Sequence, residues 1–323
     1  MSMTHASSLF QELEPEALQN IVHTHLGSTS FTASLLKGGL FNTTYRIELA
    51  GGEKQYVLRV GPVNRHLLLP FETQLMASEE WVYRLCEEQN IRVPHVVVCC
   101  RDRRLIDRDY MITEYIDSVC LNDGRITPDE KRRLYRETGR MTAALHAIRR
   151  ERFGRAGDVL NGRGFACWGA YLQSEFAQAT EALKQRGIFE EADLAQIRQL
   201  PERYAELLDR IQTASLVHAD LWEGNVLVSP DHKRVVAVID ADRALFGDAA
   251  YEFAGGWMQN ADFMEGYGAT EKKNTDAIVR NQIYALLYRL IDTYVYYVEY
   301  NDAVSGARTK EKVLNFKKAL LNV

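Results

Sequence analysis

The sequence predicts a two-lobed α+β protein, a small antiparallel-sheet lobe followed by a larger, mainly helical lobe. Three observations carry this reading. Short alternating runs joined by Gly-rich connectors fill residues 1–116. Helical periodicity dominates residues 117–323, broken by one pair of β-branched runs. No long flexible linker divides the two halves, so the lobes should share an interface, with their boundary near Ile116–Leu121.

Taken in order, Pro15 can open a helix, and Leu18, Ile21, Val22 and Leu26 share one face until Gly27 stops it. Phe31–Leu36, Thr43–Leu49 and Tyr56–Val60 read as strands. Lys37-Gly-Gly-Leu-Phe-Asn42 joins the first two, and Ala50-Gly-Gly-Glu-Lys54 the second two. Phe71–Gln89 reads as a helix, Val93–Cys100 as a strand entering after a proline, and Tyr110–Ile116 as another strand. Thr127-Pro-Asp-Glu130 is a capping box with proline at the first helical position. Leu134, Thr138, Met141, Leu145 and Ile148 follow it at helical spacing. Trp168–Arg186, Ala192–Thr213 (interrupted at Pro201) and Ile283–Tyr300 complete the helical part.

Composition narrows the function. With 46% hydrophobic and 26% charged residues the chain is an ordinary globular protein. A formal net charge of −5 argues against a general nucleic-acid or anionic-membrane binder. Five cysteines without a C-x-x-C pair disfavour a disulfide framework or zinc site and fit a cytoplasmic setting. No signal peptide and no uninterrupted apolar run of about 18 residues are expected, so no membrane partner is either. Oligomeric state is not legible.

The chemistry concentrates in Leu216–Asp242. Val226–Val228 and Val235–Ile239 are β-branched runs separated by the turn formers Ser229-Pro-Asp-His-Lys-Arg234. A hairpin centred between His232 and Lys233 would set Asn225 opposite Asp240, with Asp220 in the loop feeding the first strand. One amide and one carboxylate at that mouth are hard oxygen donors suited to Mg²⁺ with bound phosphates. Asp220, a loop away, can accept the proton of an attacking hydroxyl.

His218-Ala-Asp-Leu-Trp-Glu-Gly-Asn225 has the spacing of the kinase catalytic loop. Val238-Ile-Asp-Ala-Asp-Arg-Ala-Leu-Phe-Gly-Asp248 resembles the aminoglycoside phosphotransferase family, as do Leu145-His146, Phe153-Gly154 and Phe263…Gly266-Tyr-Gly268. The resemblance runs from about Leu35 to Leu290 and implies a protein-kinase-like fold, with residues 1–116 as nucleotide-binding lobe and 117–323 as catalytic and substrate-binding lobe. It implies ATP (or GTP) and Mg²⁺ as cofactors. Asp220 would be the catalytic base, Asn225 and Asp240 the metal ligands, and His218 a structural residue of the loop. Gly38, Gly39, Asn42 and Thr43 would form the connector over the phosphates, where small residues allow close backbone approach. Arg59 would replace the usual phosphate-binding lysine, paired to Glu79 or to Glu80. Glu114 and Ile116 would bound the hinge that receives the base. The implied acceptor is the hydroxyl of an aminoglycoside or related antibiotic, or of a metabolic small molecule such as a sugar, choline or an amine adduct. A catalytically silent kinase-like binding module is the alternative from another class.

Other polar residues have plainer readings. Two adjacent glycines are common in simple hairpins, and Arg59 could be an exposed strand residue. Asp242 reads as a solvated strand end in preference to a second metal contact, Asp248 as a helix cap, and His66, His95 and His146 as ordinary histidines. Glu252, Glu265, Asp292 and Glu299 could bind an amine substrate, though each by itself reads as a surface charge, and most of the tyrosines between Tyr284 and Tyr300 read as packing residues, with some able to line an acceptor pocket.

Overall fold

A computed structural model describes residues 7–36, 39–52, 54–268 and 274–322. Gly38 lies outside these residues. Helix α1 (Pro15–Leu26) carries proline in its first turn and ends at Gly27, whose φ of +67° is the left-handed turn that glycine supplies without strain. Strands β1 (Phe31–Leu35), β2 (Thr43–Leu49) and β3 (Gln55–Val60) then form a meander. After helix α2 (Leu75–Glu88) come β4 (Val96–Cys100) and β5 (Tyr110–Glu114). All pairs are antiparallel, in the order β1-β2-β3-β5-β4.

Two boundaries of this lobe depart most from expectation. The helix predicted from Phe71 begins as a 3₁₀ turn at Pro70–Gln74 before α2. The strand predicted from Val93 starts at Val96. Pro94 has no N–H to give a ladder, so the segment around it stays outside the sheet.

The period of two divides this sheet into two faces. Tyr45, Ile47, Leu58, Val60, Tyr110 and Ile112 point to one side, where they bury Ile21 and Val22 of α1. Thr44, Val57, Arg59, Met111 and Thr113 point to the other side, into a cavity. The same pleat that builds a core on one face therefore presents a polar wall on the other.

Past Glu114 the chain leaves the five-stranded sheet. Strand β6 (Val119–Cys120) pairs with Val226–Val228, which in turn pairs with Val235–Val238. Helix α3 (Pro128–His146) begins with the expected box: Thr127 accepts from Glu130 N–H, and Glu130 accepts from Thr127 N–H at 2.8 Å. Further helices span Trp168–Gln185, Glu191–Arg203, Ala261–Tyr267, Thr275–Tyr294 and Ala303–Leu321. Pro201 does not interrupt its helix but lies inside its last turn, and the break falls at Tyr204.

Helix α3 and the helix Ala261–Tyr267 approach so closely that only glycine fits. A Cβ on Gly139 would lie 2.2 Å from the Phe263 carbonyl oxygen, and one on Gly266 2.0 Å from that of Arg136. The main core gathers around fully buried Trp168, which meets Phe153, Tyr171, Tyr251 and Tyr284 ring to ring. Among the described residues no helix is long and apolar enough to cross a membrane, and all five cysteines are free thiols.

Candidate active site

Two small sheets brace the segment from His218 to Arg243. Ala214–Val217 runs into it and Leu245–Gly247 leaves it, and these two strands pair with each other. Val226–Val228 and Val235–Val238 form the hairpin between. Both ends of every loop in the segment are thus held in ladders, which leaves the loops little freedom.

The hairpin register differs by one from the symmetric expectation. Val226 faces Val238, and the Ile239 N–H bonds the Asn225 carbonyl at 2.9 Å, so Asn225 stands opposite Ile239. An irregularity between Leu227 and Val228 absorbs the odd residue. Asp240, one residue further, adopts φ +60° and ψ +45°, a left-handed turn that Asp tolerates better than most residues. Asp240, Asn225 and Asp220 all line one cavity of about 670 Å³.

Asn225 Nδ2 donates to the Asp220 carbonyl at 2.8 Å and to its carboxylate at 3.0 Å. That occupies the amide's donors and leaves its Oδ1 as a free acceptor. Burial, countered by Arg243, pushes the Asp220 carboxyl up to about 8. His218 secures the loop from behind. Its Nδ1 accepts from Asp220 N–H at 3.2 Å and its Nε2 donates to the Ile239 carbonyl at 2.9 Å, which ties the Asp220 loop to the residue before Asp240.

The sequence offered Glu252 as a surface charge or an amine-binding residue, yet it is 3% exposed and belongs to this support. Its carboxylate accepts from His218 N–H at 2.8 Å, from Ala219 N–H at 3.1 Å and from His146 Nε2 at 3.2 Å. Ala219 has φ +64°, a conformation costly for alanine. The two N–H bonds from Glu252 and a bond from Tyr288 Oη to the Ala219 carbonyl at 3.0 Å hold it there.

From the sheet side Arg59 reaches the same place. It forms ion pairs with Glu79 and, at 2.8 Å, with Asp240. Glu80 turns instead to Arg84 at 2.9 Å. Glu79 also accepts from Tyr83 Oη at 2.6 Å, and Tyr83 Oη accepts from Asp240 N–H at 3.0 Å. Tyr83 lies four residues beyond Glu79, on the same face of α2, so helical spacing is the signal that finds it. Asp242 is no solvated strand end: its side chain is 13% exposed, lines the cavity and stands 3.9 Å from Arg59. Asp248 caps the turn after it, accepting from Ala250 N–H at 3.0 Å.

Gly39, Asn42, Glu114 and Ile116 line the cavity with Arg59. A Cβ on Gly39 would come within 2.7 Å of the Asn42 carbonyl, so this position needs glycine. Thr43 does not line it. It is fully buried on the other side of the sheet, donating to the Gln11 carbonyl at 2.8 Å and accepting from Arg108 at 3.0 Å. Thr44, paired with Arg59 in the ladder, takes the cavity position. The residue expected at the phosphates was one pleat out of step.

Among the described residues no three His, Cys, Asp or Glu side chains gather as a metal cluster. The donors present are instead the free Oδ1 of Asn225 and the Asp240 carboxylate, hard oxygens on one wall of a roomy cavity. This set fits Mg²⁺, which keeps water and phosphate ligands and takes few from protein.

A model of the phosphotransferase enzyme family matches residues 32–278. Among curated proteins, the probable acyl-CoA dehydrogenase IBR3 of Arabidopsis thaliana is 26% identical over 250 residues, covering 74% of this chain and 29% of that protein. The chain therefore spans less than a third of that relative's length. Among solved structures, an aminoglycoside phosphotransferase APH(4)-Ia mutant with ADP and hygromycin B superposes with a TM-score of 0.65 at 18% identity, over 94% of this chain and 98% of that one. A putative fructosamine-3-kinase from Haemophilus somnus superposes with a TM-score of 0.67 at 15% identity, over 95% and 97%. At these identities the likeness is one of fold, and that fold is the two-lobed, protein-kinase-like one.

Proposed function

The chain belongs to the phosphotransferase enzyme family, and on that premise we propose that it transfers the γ-phosphoryl group of ATP (or GTP) to a hydroxyl of a small molecule. In this reading residues 1–116 hold the nucleotide and residues 117–323 the catalytic loop and the acceptor. The observation that carries it is the single cavity shared by Asp220, Asn225, Asp240 and Arg59. Asp220 orients the acceptor hydroxyl and takes its proton. The acceptor oxygen bonds to the γ-phosphorus, and the bond to the β-phosphate bridging oxygen breaks to release the nucleoside diphosphate. Asn225 Oδ1 and Asp240 would hold Mg²⁺, whose charge neutralises the phosphates. Arg59, already bridging Glu79 and Asp240, grips the phosphates from above. Gly39 and Asn42 cover them, and the backbone between Glu114 and Ile116 meets the base. Five free thiols fit a reducing, cytoplasmic compartment.

Two acceptor classes have support. A solved neighbour binds hygromycin B, which supports an antibiotic amino sugar. A neighbour described as a putative fructosamine-3-kinase supports a metabolic acceptor. The test is transfer of labelled phosphate from Mg-ATP across a panel holding both classes. Turnover by the wild type and its loss in Asp220→Ala are expected. Equal turnover by the two would remove Asp220 from the chemistry, and no transfer to any acceptor by a protein that binds Mg-ATP would favour the silent module.

A further inference from the structure

Residues 7–13, ahead of α1, form no helix or strand, yet their polar groups are taken one after another. At one end the segment is pinned to the small sheet. The Gln11 carbonyl accepts from Thr43 Oγ1 at 2.8 Å and from an Arg108 Nη at 2.8 Å, and the Leu13 N–H donates to Tyr45 Oη at 2.7 Å. Arg108 is buried, and it also donates to the Gly61 carbonyl at 2.6 Å and to Thr43 Oγ1 at 3.0 Å. A buried guanidinium that lost an acceptor would be costly, so Gln11 is held firmly.

Residues 7–9 then pass from one lobe to the other. The Val63 N–H donates to the Leu9 carbonyl at 3.0 Å and Asn64 Nδ2 to the Ser8 carbonyl at 2.7 Å, both from the segment that leaves β3. The Leu9 side chain is fully buried. The Ser8 N–H donates to the Glu299 carbonyl at 2.8 Å, in the helical lobe. The Ser7 hydroxyl accepts from the Leu9 N–H at 3.2 Å and donates to the Leu40 carbonyl, in the connector between β1 and β2. Two adjacent residues thus hold the connector and the other lobe.

Both contacts abut the cavity. Gly39, Leu40, Phe41 and Asn42 line it on the connector side. On the other side, Glu299 closes the five-residue π-helical turn Val295–Glu299, in which the Tyr300 N–H reaches back to the Val295 carbonyl at 2.9 Å. Asn301, with φ +50°, ends the turn, and the Glu299 carbonyl takes its hydrogen bond from Ser8. Tyr300, the next residue, lines the cavity with Asp220. Turns of this kind are rare and gather at functional sites.

We infer that residues 7–11 are an interlobe strap, which positions the connector over the phosphates and couples it to the turn that carries Tyr300. Ser7 and Ser8 are positioning residues that act through Leu40 and Glu299. Their Cα atoms are only about 3.8 Å apart across one planar peptide, so neither contact can shift without the other. Drawing the connector down onto a bound nucleotide therefore draws on the Val295–Tyr300 turn as well. The strap rests on the phosphotransferase reading for the nucleotide that moves the connector, while the coupling itself stands on the hydrogen bonds.

The experiment is amide hydrogen exchange of the full chain, read on peptides covering residues 40–44 and 296–302, with and without Mg-AMP-PNP as the probe. In the wild type the nucleotide analogue should slow exchange at 40–44 directly and at 296–302 through the strap. Ser7→Ala cuts the strap from the connector. Asn64→Gly removes the clasp on Ser8 and leaves the Leu40 and Glu299 groups in place, and glycine takes the φ of +51° at that position without strain. One lost hydrogen bond corresponds to about twofold to tenfold. Without nucleotide, Asn64→Gly should speed exchange at both peptides by that factor, with exchange across the Val226–Val238 hairpin unchanged. With nucleotide, either variant should lose the slowing at 296–302, and its Kd for Mg-AMP-PNP should rise by the same factor. Exchange that quickens equally everywhere marks a general loss of stability and overturns the inference. So does slowing at 296–302 that both variants keep, or a wild type in which the nucleotide slows 40–44 and leaves 296–302 untouched. If the wild type does not bind Mg-AMP-PNP, the phosphotransferase reading fails, and the nucleotide-free comparison decides the coupling by itself. Both ends loosened together in Asn64→Gly support it, and one end or neither loosened overturns it.

Discussion

Arg59 and Asp240 form an ion pair at 2.8 Å, so the third strand of the small sheet is tied directly to the turn that follows the Val226–Val238 hairpin. Glu79 completes the tie from α2. One guanidinium thereby couples three elements that are far apart in the chain. Lysine carries the charge without the fork. Arg59→Lys should therefore raise the KM for ATP by about tenfold. Arg59→Met, which leaves Glu79 buried without a counter-ion, should cost about 3 kcal/mol of stability. Initial rates against ATP and urea melts read the two effects. An unchanged ATP KM in Arg59→Lys would place the nucleotide elsewhere.

The Asp220 loop depends on Glu252. Burial pushes the Glu252 carboxyl up, but the bonds from His146 and His218 win and hold it below its ordinary value of 4.5. Its stabilisation is therefore fully present above pH 4.5 and lost as pH falls through the lower folded value. Glu252→Gln should lower stability by about 2 kcal/mol at neutral pH and flatten part of the acid limb of melting temperature against pH. It should also reduce kcat more than it changes nucleotide binding, because Ala219 loses its hold. Thermal melts across pH 3–7, a range of about 4 units around the carboxylate region, check the first claim.

Asp220 has the opposite sign. Burial raises its carboxyl to about 8, so the folded state retains a proton that the unfolded chain has released from its ordinary value of 3.8 upward. Stability should then fall as pH rises through that window. Asp220→Asn, which keeps the shape and the acceptor for Asn225, should melt higher than the wild type at alkaline pH, because burial raises the Asp220 carboxyl to about 8. The same variant should lose at least about a hundredfold in turnover. In the wild type, kcat/KM should climb with pH through the Asp220 value. A variant that melts no higher at alkaline pH would contradict the burial argument.

The proposed Mg²⁺ site predicts that Asp240→Asn raises the Mg²⁺ concentration needed for half-maximal activity. A Mg²⁺ titration of initial rate is the measurement. An unaltered metal dependence would take Asp240 out of the metal site.

Gly139 and Gly266 test the crossing of α3 with the helix Ala261–Tyr267. Alanine at either position meets a backbone carbonyl at 2.2 or 2.0 Å, which no side-chain movement relieves. Each substitution should cost about 1–3 kcal/mol or more, read by denaturant unfolding. Stability equal to the wild type would refute the close approach.

Much of the fold was legible because it rests on local signals. The capping box at Thr127, proline at the start of α1 and glycine at its end act through neighbours within one turn, and the structure keeps them. The alternation of β2, β3 and β5 separated a core face from a cavity face. The spacing of Asp220, Asn225 and Asp240 brought three polar residues to one cavity. Where local signals were balanced, the reading slipped by one residue. Thr43 and Thr44 differ only in which way the pleat turns them, and Asn225 faces Ile239 because an irregularity at Leu227/Val228 shifts the register.

The amino-acid order by itself determined the elements, their turns and the set of residues carried on the catalytic segment, since these follow from dihedral preference and hydrophobic period. Only the tertiary structure decided which buried charges meet. Glu252 contacts residues 33 and 34 positions away, and Arg243 reaches Glu72 across 171. A buried carboxylate must find donors wherever packing brings them, and no periodicity along the chain encodes that choice.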